Sequence, residues 1–166
     1  MNKNWRKYWK LGVEEFNTEF FDVTKNGELL VYEGNYVYNL HTLVKKYGSP
    51  LEVVFPFVLE KRLSDLRDYF NAFIKIQNYR GKFLYHYPMK VNQNREFIMP
   101  LISEGAHMEV GSVNELWLIK KLWESERFHS KLRVLCNGPK SDDYLKLIND
   151  LHAKGLAIFP IVEDEA

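Results

Sequence analysis

The sequence predicts an α/β fold in which a small antiparallel β segment precedes a parallel sheet covered by helices. Asn26-Gly27 lies between two β-rich runs, and an Asn-Gly pair tolerates positive φ at both central positions of a tight turn. From Leu51 onward, short apolar runs alternate with amphipathic stretches, and such alternation predicts crossover helices joining parallel strands. This pattern fits either a barrel or an open, doubly wound sheet.

The amino-terminal part of the chain is predicted to contain three strands and one helix. They are Phe20 to Val23, Leu29 to Tyr32, Tyr36 to Tyr38 and the helix Leu40 to Tyr47. The Gly48-Ser49-Pro50 sequence ends this helix, because glycine and proline both terminate helical structure. We therefore divide the chain into an N-terminal β-hairpin segment with a short helix, residues 1–50, and an α/β domain, residues 51–166.

Five strands and four helices are predicted after residue 50. The strands are Val53 to Phe57, Phe83 to Met89, His107 to Val110, Leu132 to Asn137 and Ala157 to Val162. The helices are Leu59 to Gln77, Asn92 to Glu104, Ser112 to Ser125 and Ser141 to Lys154. Ser112 and Glu115 have the spacing of a capping box, in which each side chain accepts a hydrogen bond from a backbone N–H at the start of the helix.

Composition and charge narrow the class of protein. The 166 residues are 46% hydrophobic and 27% charged, which is typical of a globular domain and excludes a disordered chain. A net charge of +1 gives no general attraction to nucleic acid or anionic lipid. The apolar runs are far shorter than the roughly 20 residues that span a bilayer, and a single cysteine fits a reducing compartment. We expect a cytoplasmic protein with no nucleic-acid or membrane partner.

Lys90 is the candidate catalytic residue, because it ends an apolar strand. In parallel α/β sheets, functional side chains gather at the carboxyl ends of the strands. A lysine amine shielded from water loses its proton more readily, and the neutral amine attacks aldehydes to form a Schiff base. The alternative is an ordinary solvated lysine. The five histidines and the single cysteine have no ligand-like spacing, so no metal site is predicted.

Two motifs around Lys90 give the chain a resemblance to a known enzyme family. The blocks Tyr87-Pro88-Met89-Lys90-Val91-Asn92-Gln93 and Glu109 to Leu116 closely resemble linked blocks of the biosynthetic arginine decarboxylases, which are fold-type III pyridoxal-phosphate enzymes. The segments Leu135 to Lys140 and Phe20 to Tyr32 are also similar to that family. The resemblance therefore covers nearly the whole chain.

This resemblance implies a partial (β/α)8 TIM-type barrel, in which the chain supplies about the first four strands. Lys90 would carry pyridoxal 5'-phosphate as a Schiff base, with Glu109 and His86 as further cofactor-binding residues. The complete enzyme would convert arginine to agmatine and carbon dioxide in polyamine biosynthesis, as a homo-oligomer. A complete barrel needs about 200 residues or more, so we expect this chain to be an N-terminal fragment that is inactive by itself.

Several alternatives stay open at this point. His86 could equally be a packed core histidine, and Ser112 fits a helix cap better than a ligand. The resemblance implies that His86, Asn92 and Ser112 line the same end of the sheet. Asn137 and Lys140 lie at the end of the next predicted strand, where Lys140 fits a surface loop better than a ligand. A non-catalytic pyridoxal-phosphate carrier or regulatory paralogue with the same barrel is the alternative function. Nucleotide-binding glycine motifs are missing from the sequence.

Overall fold

The computed structural model describes residues 19–125 and 131–162, and the chain divides into two compact units. The first is Met1–Val54 and the second is Phe55–Ala166. This division lies close to the boundary at residue 50 that we placed from the sequence. In the part of the chain that the structure describes, no helix is both long enough and apolar enough to cross a membrane.

The first unit contains a three-stranded antiparallel sheet and one helix. The strands are β1 (Phe21–Val23), β2 (Leu29–Glu33) and β3 (Tyr36–Asn39), in the order β1-β2-β3, and the helix is α1 (Leu40–Tyr47). Val31 on the central strand is fully buried. The predicted small β segment, with its third strand and helix, is confirmed.

The turn between β1 and β2 differs from the tight turn that the Asn-Gly pair indicates. Gly27 N donates to Thr24 O at 3.0 Å, and Thr24 N donates to Glu28 O at 2.9 Å, so the connection is longer than two residues. Gly27 has φ +83, but Asn26 is not among the non-glycine residues with positive φ. A longer hairpin loop needs the left-handed conformation only at its last position, which glycine occupies here.

The predicted strand Val53 to Phe57 is wrong. Residues 51–55 form no strand, and Pro56 opens α2 (Pro56–Ile76). Proline suits the first helical position because its φ is already helical and its missing N–H would have no partner there. The apolar run therefore leads into a helix and ends in its first turn, and apolarity alone does not distinguish such a run from a strand.

The second unit continues with alternating strands and helices. They are β4 (His86–Pro88), α3 (Arg95–Ser103), β5 (His107–Val110), α4 (Val113–Ser125), β6 (Arg133–Cys136), α5 (Asp142–Ala153) and β7 (Ala157–Pro160). The four strands form one parallel sheet in the order β4-β5-β6-β7. The predicted α/β fold with a parallel sheet is confirmed; β5 has the predicted bounds, and β4, β6 and β7 are shorter than predicted.

The core lies on one face of this parallel sheet. Met108, Val110, Val134 and Cys136 are fully buried and belong to a cluster that also contains buried residues of α3, α4 and α5. The residues between them, such as Glu109, are only partly buried. Because successive side chains on a strand point to opposite faces, the helices cover one face, and Glu109 lies on the other.

Candidate active site

A cavity of about 190 Å³ lies at the carboxyl ends of β4, β5 and β6. Its lining residues are Met89, Lys90, Glu109, Gly111, Glu115, Asn137 and Gly138. The parallel register pairs Pro88 of β4 with Glu109 of β5, and Glu109 with Leu135 of β6. Side chains that follow three separate strands along the sequence therefore meet at one edge of the sheet.

Lys90 has a fixed backbone and an accessible side chain. Met89, directly before it, is fully buried, and Met89 N donates to Glu109 O at 3.0 Å, which continues the pairing of β4 with β5. Val91 N donates to Pro88 O at 3.1 Å, so the chain turns at Lys90. Lys90 is an exposed residue, so the described residues do not shield it from water as its place at the end of a strand led us to expect.

Glu109 is held by an amide from the next strand. Asn137 Nδ2 donates to Glu109 Oε1 at 3.2 Å. Asn137 is itself fixed, because its N donates to Val110 O at 2.7 Å and its Oδ1 accepts from Gly138 N at 3.0 Å. The sequence placed Asn137 at this edge only by its position after a strand. In the structure it orients the carboxylate of Glu109.

Glu115 lines the cavity, although the sequence assigned it only to helix capping. Among the described residues it is the one buried charged side chain, at 8% exposure. Ser112 Oγ accepts from Glu115 N at 3.3 Å, as the capping box predicts. The Glu115 carboxylate, however, accepts from Gly111 N at 2.7 Å and from Gln93 Nε2 at 2.9 Å. It thus links the end of β5 to the loop that follows Lys90.

Gly138 allows two loops of the cavity to pass close together. Its φ is +73, and a Cβ at this position would lie 2.6 Å from Gly111 O. Both the backbone conformation and the close approach therefore require glycine. The edge of the cavity between β5 and β6 is consequently formed by backbone.

Tyr144 of α5 ties the helix to the carboxyl ends of β5 and β6. Its hydroxyl donates to Val110 O at 3.1 Å and lies 3.4 Å from Asn137 O. Burial raises the pKa of the Tyr144 hydroxyl, so it stays a neutral donor. Burial also raises the pKa of the neighbouring Cys136 thiol, which argues against a nucleophilic role for that cysteine.

The structure does not bring His86 to this cavity. His86 begins β4, four residues before Lys90 and thus roughly 13 Å away along an extended strand. It lies beside His107 of β5, with ring centroids 5.0 Å apart. His86 starts its strand instead of ending it, and its role as a cofactor-binding residue stays a prediction. Asn92 and Ser112 do follow strands at that edge, but they are not among the lining residues.

The His86 and His107 rings favour the neutral state. Burial lowers the pKa of both, and the positive charge of Arg133 lowers both further. The pKa of His107 is also lowered by His86, whereas the Leu84 carbonyl and Glu109 partly offset the effect on His86. Unfolded histidines protonate near pH 6.5. The neutral rings therefore favour the folded state above about pH 6.5. This contribution to the free energy of unfolding is lost as the pH falls through the lowered pKa values of the two histidines in the folded protein.

Replacing His86 by phenylalanine is expected to reduce the acid sensitivity of the fold. The free energy of unfolding should fall less between about pH 7.5 and about pH 5 than in the unaltered protein, because one proton-binding group of the unfolded state is gone. Urea denaturation at the two pH values measures this difference. His152→Phe, at an exposed position on α5, is the control. If the free energy of unfolding falls equally on acidification in His86→Phe and in the unaltered protein, the lowered pKa of His86 does not contribute to acid sensitivity.

The chain is similar in sequence and fold to known decarboxylases, although no protein-family model matches it. The biosynthetic arginine decarboxylase of Vibrio vulnificus is 28% identical over 171 residues, covering 94% of this chain and 25% of the relative. That of Rhodopirellula baltica is 26% identical over 163 residues, covering 91% of this chain and 24% of the relative. The crystal structure of the biosynthetic arginine decarboxylase SpeA from Campylobacter jejuni matches with a TM-score of 0.76 and 25% identity. This match covers 93% of this chain and 27% of that one.

These matches confirm the resemblance to the biosynthetic arginine decarboxylases that the motifs around Lys90 and Glu109 predicted. The chain spans about a quarter of the length of the relatives that it matches. It is similar to one part of these enzymes, and the similar part includes the strands and loops that form the cavity.

Proposed function

We propose that this chain is the N-terminal part of a pyridoxal-phosphate-dependent arginine decarboxylase, which converts arginine to agmatine and carbon dioxide. The observation that carries the proposal is the placement of Lys90 and Glu109 in one cavity at the carboxyl edge of a parallel sheet. It is supported by similarity to arginine decarboxylases over 91–94% of the chain. On this proposal, the four parallel strands are the first strands of a (β/α)8 barrel.

The side chains of the cavity fit the aldehyde end of pyridoxal phosphate. Lys90 offers an accessible amine, and Glu109 offers a carboxylate already oriented by Asn137. Gly111 and Gly138 leave the cavity edge free of side chains, and a Cβ at Gly138 would close on the backbone of Gly111. These are the groups that a covalently held, positively charged aromatic aldehyde requires.

The cavity by itself fits only part of the cofactor. Its volume of about 190 Å³ lies below the ~300–1,000 Å³ typical of small-molecule sites. Among the described lining residues, Lys90 is the one cation, and an anchoring amine cannot also neutralise a phosphate. We therefore place the phosphate contacts outside the lining of this cavity. In TIM barrels, phosphate is typically bound after the seventh and eighth strands.

The chemistry of the proposed site depends on a bound cofactor and on the residues that hold it. Pyridoxal phosphate, when bound, supplies an electron sink for the pair left behind when the carboxylate of the substrate departs as carbon dioxide. Lys90 would hold the cofactor through Nζ and, once released from it, can carry a proton on the same atom. Glu109 would place a negative charge beside the cationic ring, in an orientation set by Asn137.

The choice of arginine as substrate rests on the names of the relatives. No residue of the described cavity lining other than Glu109 and Glu115 carries the negative charge that a guanidinium group requires, and both carboxylates already accept hydrogen bonds. We therefore propose that residues outside the lining of this cavity recognise the side chain of the substrate. Homo-oligomer formation, a cytoplasmic location and a role in polyamine biosynthesis stay predictions.

Product analysis tests the proposed activity. The native protein that carries this chain, supplied with pyridoxal phosphate and arginine, is expected to release carbon dioxide and agmatine in equal amounts. Parallel reactions with ornithine and lysine should yield less product, and residues 1–166 by themselves should yield none. Binding of pyridoxal phosphate at Lys90 without product from any of these amino acids would instead support the non-catalytic carrier.

A further inference from the structure

We propose that Glu115 is a positioning residue that fixes the spacing between Lys90 and Glu109 at the mouth of the cavity. The inference rests on the proposed function, because it concerns how the two groups of the cofactor site are held relative to each other. Glu115 would act through Gln93 and Gly111 and would not take part in the reaction itself.

The two oxygens of the Glu115 carboxylate accept hydrogen bonds from different loops. Oε2 accepts from Gly111 N at 2.7 Å, and Gly111 follows Glu109 by two residues. Oε1 accepts from Gln93 Nε2 at 2.9 Å, and Gln93 follows Lys90 by three residues. A single carboxylate therefore connects the segment that bears the amine to the segment that bears the second carboxylate.

Burial makes this connection stiff. Glu115 is 8% exposed, and a buried carboxylate is strongly destabilising unless donors surround it. Hydrogen bonds to a charged acceptor are also stronger than those between neutral groups. Both donors are therefore held firmly to Glu115, although the Gln93 residue itself is exposed.

The bond to Gln93 goes beyond what helix capping needs. The start of α4 is already satisfied by Ser112 Oγ, which accepts from Glu115 N, while the carboxylate meets Gly111 N. Gln93 lies 22 residues earlier in the chain, across the crossover through α3. The residue before Gln93 is held by a different contact, since Tyr87 OH donates to Asn92 O at 3.1 Å. The link from Gln93 to Glu115 thus closes the loop that begins at Lys90.

The Gln93→Ala variant of the native protein separates positioning from folding. The absorbance of lysine-bound pyridoxal phosphate, followed during a titration, gives the apparent affinity, and hydrogen exchange reports on the Gly111 amide. We expect affinity to fall about tenfold, the factor that one hydrogen bond to a charged group commonly supplies. Protection of the Gly111 amide should stay unchanged, because the bond from Gly111 N to Glu115 is intact.

The neighbouring Asn94→Ala variant is the matched control. Asn94 is exposed in the same loop, and its side chain makes no capping hydrogen bond. The affinity of the Asn94→Ala variant for pyridoxal phosphate should therefore stay within about twofold of that of the unaltered protein. Glu115→Gln should retain more affinity than Glu115→Ala, because its amide oxygen can still accept from Gly111 N. In Glu115→Ala, exchange of the Gly111 amide should also become faster.

The outcomes distinguish this inference from the proposed function. If Gln93→Ala binds pyridoxal phosphate as tightly as Asn94→Ala, the positioning role is overturned, while the function assigned to Lys90 still holds. If the unaltered protein forms no lysine-bound pyridoxal phosphate, the proposed function fails, and the positioning role fails with it. A selective loss in Gln93→Ala, with the Gly111 amide still protected, supports the inference.

Discussion

Replacing Lys90 by arginine is expected to abolish decarboxylation while leaving the fold intact. Arginine keeps the positive charge and much of the length, but its guanidinium stays protonated and cannot attack an aldehyde. We expect the rate of carbon dioxide release to fall by on the order of 10⁴-fold or more, as when a covalent nucleophile is removed. Because Lys90 is exposed, the free energy of unfolding should change by less than about 0.5 kcal/mol.

Lys82→Arg provides the control for this variant. Lys82 is also exposed, lies before β4 and is not among the lining residues of the cavity, so this change should leave the rate unaltered. Carbon dioxide release, measured for both variants under saturating pyridoxal phosphate, gives the comparison. A Lys90→Arg protein as active as Lys82→Arg would show that the reaction does not depend on the amine at residue 90.

Gly138→Ala is expected to produce the largest loss of stability among single-methyl additions in this cavity. Its Cβ would lie 2.6 Å from Gly111 O, and a left-handed backbone is unfavourable for alanine. Together we expect these effects to lower the free energy of unfolding by about 2–4 kcal/mol. Chemical denaturation measures the loss. The added methyl group would push the loop at Gly138 away from the loop at Gly111 and so separate β5 from β6 at the cavity. The fraction of Lys90 that binds pyridoxal phosphate should therefore fall as well.

A second glycine isolates the steric part of that effect. Gly155 has φ +96, but a Cβ there would meet nothing within 4 Å. Gly155→Ala therefore carries the backbone cost alone, which we expect to be about 1–2 kcal/mol. If the two variants lose equal stability, the close approach between Gly138 and Gly111 does not contribute, and the cavity edge is less tightly packed than described.

Much of the fold could be predicted because local signals agree with the tertiary structure. The run His107 to Val110 was predicted as a strand, and β5 has the same bounds in the structure. Its residues alternate between partly buried and buried, as expected for a strand with one face in the core. Val53 to Phe57 failed because Pro56 is a helix-starting signal inside an apolar run, and apolarity outweighed it in the prediction. At Asn26, the dipeptide predicted the hairpin correctly, but loop length, which the dipeptide does not determine, decided the conformation.

Lys90 was predicted from its place at the end of a strand, whereas Glu109 was predicted only from the resemblance to the arginine decarboxylases. Lys90 and Glu109 meet because parallel strands bring their carboxyl ends to one edge, which is a general rule. The partners of the Glu115 carboxylate were missed, because a capping box specifies only local donors and Gln93 arrives from another loop. The need for glycine at position 138 was missed as well, because it depends on how β5 and β6 are registered. His86 lies away from this cavity because it starts β4, four residues before Lys90.

Borohydride reduction of the native protein in the presence of pyridoxal phosphate, followed by peptide mapping, tests the central claim most directly. The reagent makes the bond between a lysine and the cofactor permanent, so the labelled peptide identifies the anchoring amine. We predict that the label is found on Lys90, in the peptide that contains Tyr87-Pro88-Met89-Lys90. Label on a different lysine, or no label at all, would contradict the assignment of this cavity as the cofactor site.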